Sequence, residues 1–214
     1  MAYSTLPKRR YQAAIAGRVL DARSQAVVPG VTISITAMPA AFQSQLENVV
    51  ARYGAAWASM TERADRTTSA SDGVFHFGDL PDGQYTLSFS IPHGDARYGT
   101  TTTAVTVSHD AEGTVTTGLI TVNLPPTGVE GQILLDATAS GSSTTPLAMA
   151  RVYVRGSGQS AYSNAGGKFY VTGADPGPQV LMVSAPGYAS ASTTVTIETG
   201  VVTSAPTVTL IPSP

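Results

Sequence analysis

Reactive side chains are scarce in this chain, and the few present lack the company that catalysis needs. There is no cysteine, which removes thiolate nucleophiles, disulfides and cysteine-ligated metals. One histidine, His109, stands in a metal-ligand pattern, the His-x-x-Glu of His109-Asp110-Ala111-Glu112. That run follows the alternating stretch Val105 to Ser108 and precedes Gly113, so it reads as a turn after a strand. His76 falls in a strand pattern and His93 in a loop, neither with a complementary acidic pattern. A catalytic zinc needs three protein ligands converging on an open position, which these residues do not supply. Serines abound, but none lies in a Gly-x-Ser-x-Gly elbow; Gly156-Ser157-Gly158 and Gly141-Ser142-Ser143 are loop composition. Gly166-Gly167-Lys168 lacks the spacing of a phosphate loop. Asp79 and Asp82 flank a turn, where an aspartate bonds its own backbone. The expectation is a protein that is not an enzyme, with no catalytic, cofactor-binding or metal-binding residue.

What remains distinctive is apolar and aromatic. Phe42, Leu46, Val49, Val50, Tyr53, Trp57 and Met60 recur at spacings of three and four, the stripe of an amphipathic helix. Pro39 sits where a first helical residue would, and Gly54 is a weak point costing about 1 kcal/mol against alanine. Two readings stand: the helix closes its own domain, or it docks into a groove of a partner. A second candidate is the N-terminal arm with Tyr3, Lys8, Arg9, Arg10 and Tyr11, either a solvated tail or an attachment point. The candidate partner-binding residues are therefore Phe42, Leu46, Tyr53, Trp57 and Met60 on the stripe and Tyr3, Arg9 and Arg10 in the arm.

The elements that must position these residues are strands. Phe75 and Phe77 alternate with Val74 and His76, and Tyr85, Leu87 and Phe89 with Thr86, Ser88 and Ser90. Val105 and Val107, then Ile120, Val122 and Leu124, alternate with polar residues in the same way. A period of two is the mark of a strand with one face buried. Turn signals punctuate the runs at Asp72-Gly73, Pro81-Asp82-Gly83, Asp110 to Gly113 and Thr199-Gly200. Short strands with regular turns predict antiparallel sandwiches.

The pattern occurs twice. Ala16-Gly17-Arg18-Val19 matches Glu130-Gly131-Gln132-Ile133, and Pro29 to Ile35 matches Ala148 to Val154 in alternation. Asp72-Gly73-Val74-Phe75 matches Gly166-Gly167-Lys168-Phe169, and Gly83 to Pro92 continues onto Gly177 to Pro186 without a gap. The expected organisation is an arm at 1–12, a first domain at 13–124 with a helical insertion near 39–64, a proline-rich linker at 125–128 and a second domain at 129–214.

Charge restricts the partners. Twelve basic residues against fourteen acidic ones give a net charge of −2, without the basic surface that nucleic acid requires. No stretch approaches the length of a membrane span, and no apolar segment follows Lys8, Arg9 and Arg10 as a signal peptide would need. The expected location is the cytosol for synthesis and assembly, with a virion or extracellular particle as a destination.

Gly-x-Val-x-Asp from Gly17, Pro-Gly-x-x-Ile-x-Ile from Pro29, and the run Asp72-Gly73-x-Phe75-x-Phe77-x-x-Leu80-Pro81-x-Gly83-x-Tyr85-x-Leu87 together resemble the carboxypeptidase regulatory-like domain. The second unit is a looser match, with Gly173 to Gly177 in place of Asp79 to Gly83 and Gln179 in place of Tyr85, but it keeps Pro186-Gly187-Tyr188. The resemblance implies an all-β chain of two tandem transthyretin-like (Ig-like) sandwiches, the first carrying the inserted amphipathic helix. It is nearly silent on function, because such modules serve as accessory and interaction domains in many settings.

Two functions are expected. The first is a structural, protein-binding subunit of a larger assembly such as a phage-tail-like, virion or contractile injection particle. The second is an adhesion or ligand-binding accessory module of a surface or secreted protein. Carbohydrate ranks below protein as a partner, since stacking on sugars needs exposed aromatics and only Tyr98, Tyr162 and Tyr188 fall in loops.

Overall fold

The computed structural model describes residues 12–60, 63–92, 96–136 and 144–213. The chain divides into two compact units, Met1–Ser90 with Thr101–Asn123, and Ile91–Thr100 with Leu124–Pro214.

In the first unit the alternating runs form β1 (Ala13–Asp21), β2 (Thr32–Ala37), β3 (Arg66–Thr68), β4 (Val74–Gly78), β5 (Gly83–Ser90), β6 (Thr101–His109), β7 (Val115–Thr116) and β8 (Gly118–Leu124). They assemble into two sheets, ordered β4-β1-β8 and β3-β2-β5-β6-β7. The apolar half of each strand faces inward: Phe75 and Phe77 from one sheet, Ile33, Tyr85, Leu87 and Phe89 from the other, all buried. Phe75 and Phe89 meet across the sandwich edge to face, with centroids 5.4 Å apart.

The second unit repeats the plan. Its strands are β9 (Gly128–Leu135), β10 (Thr145–Pro146), β11 (Arg151–Val154), β12 (Ser160–Tyr162), β13 (Lys168–Thr172), β14 (Gly177–Ser184), β15 (Ala191–Ile197), β16 (Val202–Ser204) and β17 (Val208–Leu210). One sheet runs β12-β11-β14-β15; in the other β9 pairs antiparallel with β10 and β13 and parallel with β16 and β17. Its core includes Ile133, Val152, Phe169, Leu181 and Leu210.

Two details show how deep the repeat goes. Gly17 lies opposite Phe75 in the β1–β4 ladder, and Gly131 lies opposite Phe169 in the β9–β13 ladder. In each case the phenyl ring occupies the space a side chain would need, since an added Cβ would sit 2.8 Å from it. Each unit also holds one buried serine at the same place. Ser69 Oγ accepts from Val31 N at 2.9 Å and donates to Val28 O at 3.0 Å; Ser163 Oγ accepts from Ala150 N at 2.9 Å and donates to Leu147 O at 2.6 Å. Both satisfy backbone groups that would otherwise be buried without partners.

The segment Ile91–Thr100, between β5 and β6, packs with the second unit. There Thr127 N donates to Arg97 O at 2.7 Å and Gly99 N to Pro125 O at 2.8 Å. Thr127 is fully buried, and its Oγ1 accepts from Gly200 N at 2.7 Å. The stretch 125–128, read from the sequence as a linker, is thus hydrogen-bonded into the second unit.

Candidate protein-docking groove

Equivalent residues stand 119 apart before the insertion (Ile33 and Val152) and 94 apart after it (Ser69 and Ser163). The first unit therefore carries 25 residues between β2 and β3 that its sister lacks, the difference of those two offsets. They fold into α1 (Ala40–Tyr53) and a 3-10 turn over Gly54–Ser59. Pro39 is the cap, with an extended ψ of 150°, so the helix begins one residue later than the proline suggests.

The insertion is pinned at both ends. At its start, Pro39 rests on Gly83, where an added Cβ would lie 2.3 Å from the proline ring. Phe42, 4% exposed, meets Tyr85 edge to face with centroids 5.9 Å apart. At its end, Trp57 is 9% exposed, and the Arg63 guanidinium lies over its ring at 4.6 Å from the centroid. Arg63 in turn binds Asp65 in bidentate fashion, Nε to Oδ1 at 2.8 Å and Nη2 to Oδ2 at 2.5 Å. Hydrogen bonding to Asp65 raises the Arg63 pKa further above its ordinary value, against the opposing effect of burial. Arg66 Nη2 adds a bond to Met60 O at 2.7 Å, and Asp65 O accepts from Ile35 N at 2.8 Å. This layered cation–π and ion pair fastens the end of the insertion to the sheet.

The helical stripe therefore splits. Phe42 and Trp57 are spent on the protein's own core, Leu46 and Met60 are half-buried, and Tyr53 is 48% and Val50 37% exposed. Gly54 is the reason. Its φ of +55° ends the α-helix, and the tighter 3-10 turn that follows swings Trp57 inward, 6.4 Å from the Tyr53 ring. Leu46, Val50 and Ala51 then form one wall of an open groove of about 720 Å³. Thr36, Ala37 and Met38, at the end of β2, form the facing wall, with Gln43 and Glu47 at the polar margin. Helical periodicity points to Leu46 and Val50 of the first wall but not to Ala51, and it cannot reach the second wall, which comes from the end of a strand.

The other candidates are placed as follows. Tyr3, Arg9 and Arg10 lie outside the described residues. His109 does not face Glu112; its Nδ1 contacts Asp82 Oδ1 at 2.5 Å, while Asp110 Oδ1 accepts from the Glu112 and Thr114 amides and closes the turn. Of the three tyrosines read from the sequence as loop residues, Tyr188 packs against the second core and the Tyr98 backbone bridges to Pro126, while Tyr162 instead ends strand β12, paired with Arg151, and is exposed. Among the described residues no three His, Asp or Glu side chains converge, and no helix is long and apolar enough to cross a membrane.

No curated protein matches the chain in sequence. Among solved structures, shaft pilin SpaA from Lactobacillus rhamnosus GG is 16% identical with a TM-score of 0.42, covering 96% of this chain and 99% of its own. The minor pilin GBS52 of Streptococcus agalactiae is 14% identical with a TM-score of 0.35, covering 94% of this chain and 96% of its own. The Bacillus anthracis TIE protein is 16% identical with a TM-score of 0.40 over 95% of this chain, which spans about a third (34%) of that protein. At these scores the likeness stops at general outline and says nothing of function. The family comparison falls on the unit whose motif departs further from the family pattern: residues 135–211 match the model of the carboxypeptidase regulatory-like domain.

Proposed function

We propose that this protein is a non-catalytic structural subunit that binds other protein subunits through the groove beside α1. The observation that carries the reading is the split stripe. An insertion present in one of two otherwise matching units is anchored by Phe42 and Trp57, yet leaves Leu46 and Val50 lining an open groove and Tyr53 exposed on the same helix. Anchors at both ends hold that face in one geometry, which lowers the entropic cost of binding. The occupant is an apolar segment of a neighbouring subunit, a helix or extended chain, with a basic residue placed to meet Glu47.

The finer form of the proposal is a subunit of a phage-tail-like, virion or contractile injection particle. Its competitor, a surface adhesin with a small ligand, would place binding on loop aromatics. One of its three tyrosines, Tyr188, packs against the core of its own unit, which weighs against that competitor.

The test is the double variant Val50→Asp with Tyr53→Ala. Both side chains are exposed, so melting should shift by no more than about 0.5 kcal/mol, as surface changes do. Association with the native assembly should be lost. An assembly that takes up the variant as readily as the parent chain would refute the docking face.

A further inference from the structure

The two units finish their smaller sheets differently. In the second, the strand beside β9 is broken: β16 ends at Ser204, β17 begins at Val208, and Ala205-Pro206-Thr207 lies between. The buried pair Val208 and Leu210 corresponds to Val122 and Leu124 of β8, which sets Pro206 against Ile120. A proline offers no N–H and interrupts an edge against further strands.

In the first unit β8 is unbroken. Seven residues, Gly118-Leu119-Ile120-Thr121-Val122-Asn123-Leu124, form the last strand of the order β4-β1-β8. Among the described residues no strand pairs with its outer edge. The segment has no charge and no proline, and four of its residues are leucine, isoleucine or valine. Its pleat is amphipathic: Val122 and Leu124 are buried, while Leu119, Thr121 and Asn123 are exposed, Leu119 at 80%. Natural edges are usually blunted by charge, proline or a bulge. This one has the composition of a strand that is meant to be paired.

We infer that β8 pairs antiparallel with β8 of a second copy of this chain, about a two-fold axis at Thr121. The pairing joins two three-stranded sheets into one and extends both cores. A second copy fits because the edge is complementary to itself. The axis sets Thr121 against Thr121 and Leu119 against Asn123, so every facing pair is neutral and no like charges meet. A charged foreign strand would find no counter-charge anywhere along the seven residues. Pairing consumes the edge on both copies, so the product is a closed dimer.

Sedimentation velocity of the purified full chain tests this with Thr121→Lys and Thr121→Glu. Both changes fall on an exposed position, and unchanged circular dichroism and melting establish that the variants fold. The parent chain is expected to dimerise, and each variant alone to dissociate at least about tenfold more readily, because like charges then face each other. Mixing the two variants should restore a heterodimer, since Lys now faces Glu. A parent chain that stays monomeric up to its solubility limit overturns the inference. So does a Thr121→Lys variant that dimerises as tightly as the parent, a mixture that fails to recover, or a ladder of higher oligomers in place of a dimer.

Discussion

Between Val154 and Ser160 the second unit turns back through a short hairpin, with Val154 N bonded to Gln159 O at 3.1 Å. At the same point the first unit leaves Ala37, runs through a helix and a 3-10 turn, and returns only at Arg66. Around this junction the two are alike: the same buried serine, the same glycine under the same phenylalanine, the same ladders. The contrast teaches where a sandwich tolerates addition. Lengthening a surface connection costs little closure entropy, growing only with the logarithm of its length. A longer connection survives as ordered structure when a few side chains tie it down, and here Phe42 and the Trp57–Arg63–Asp65 stack do so.

Breaking that stack should have the largest effect. Trp57→Ala removes a buried indole from the first unit, and a loss of about 3–5 kcal/mol is expected in denaturant melts. A loss below about 1 kcal/mol would mean that the indole is dispensable to the fold and open to a docking role instead. The glycine pair sharpens the comparison. An added Cβ at Gly17 would meet the Ile120 carbonyl oxygen at 2.4 Å, a backbone atom, whereas at Gly131 it meets the Phe169 ring. Gly17→Ala should therefore cost about 2–3 kcal/mol and Gly131→Ala about 1 kcal/mol, because a ring can shift and a ladder cannot. Equal losses would show the two sites to be equally compliant.

The serines should behave alike. Ser69→Ala and Ser163→Ala each deprive a buried N–H and a backbone carbonyl of the serine hydroxyl, and about 2 kcal/mol is expected for either by chemical denaturation. A marked inequality would break the equivalence of the units. The smallest effect concerns pH. Burial, with a lesser contribution from Asp82, pushes the Tyr85 hydroxyl up to about 12, and that hydroxyl donates to Pro81 O at 2.8 Å. Because the folded pKa lies above the ordinary value near 10, its contribution is complete below that value and is lost as pH rises toward 12. Tyrosinate absorbance should show one phenol titrating late, and Tyr85→Phe should remove it.

Much of the fold was legible because its signals are periodic. Phe75 and Phe77, and Tyr85, Leu87 and Phe89, alternate in sequence and are buried in the structure. The repeat was legible because Gly17 and Gly131 keep their register with Phe75 and Phe169. The helix was legible too, but not the division of its stripe. A pattern at 100° per residue assumes one helix, and the change to a 3-10 turn at Gly54 sends Trp57 inward while Tyr53 faces out. Ser69 and Ser163 were hidden among many serines, since a single buried hydroxyl leaves no periodic trace. The attachment of Ile91–Thr100 to the second unit rests on backbone bonds to Pro125 and Thr127, which side-chain patterns do not encode.

The central claim is that this chain works as a subunit of something larger, and its native mass tests that most directly. Gradient sedimentation of lysate from the source is predicted to carry the chain with megadalton particles, and the Val50→Asp, Tyr53→Ala variant to release it. A parent chain that sediments near its own 22.0 kDa, or only as its dimer, would contradict the account.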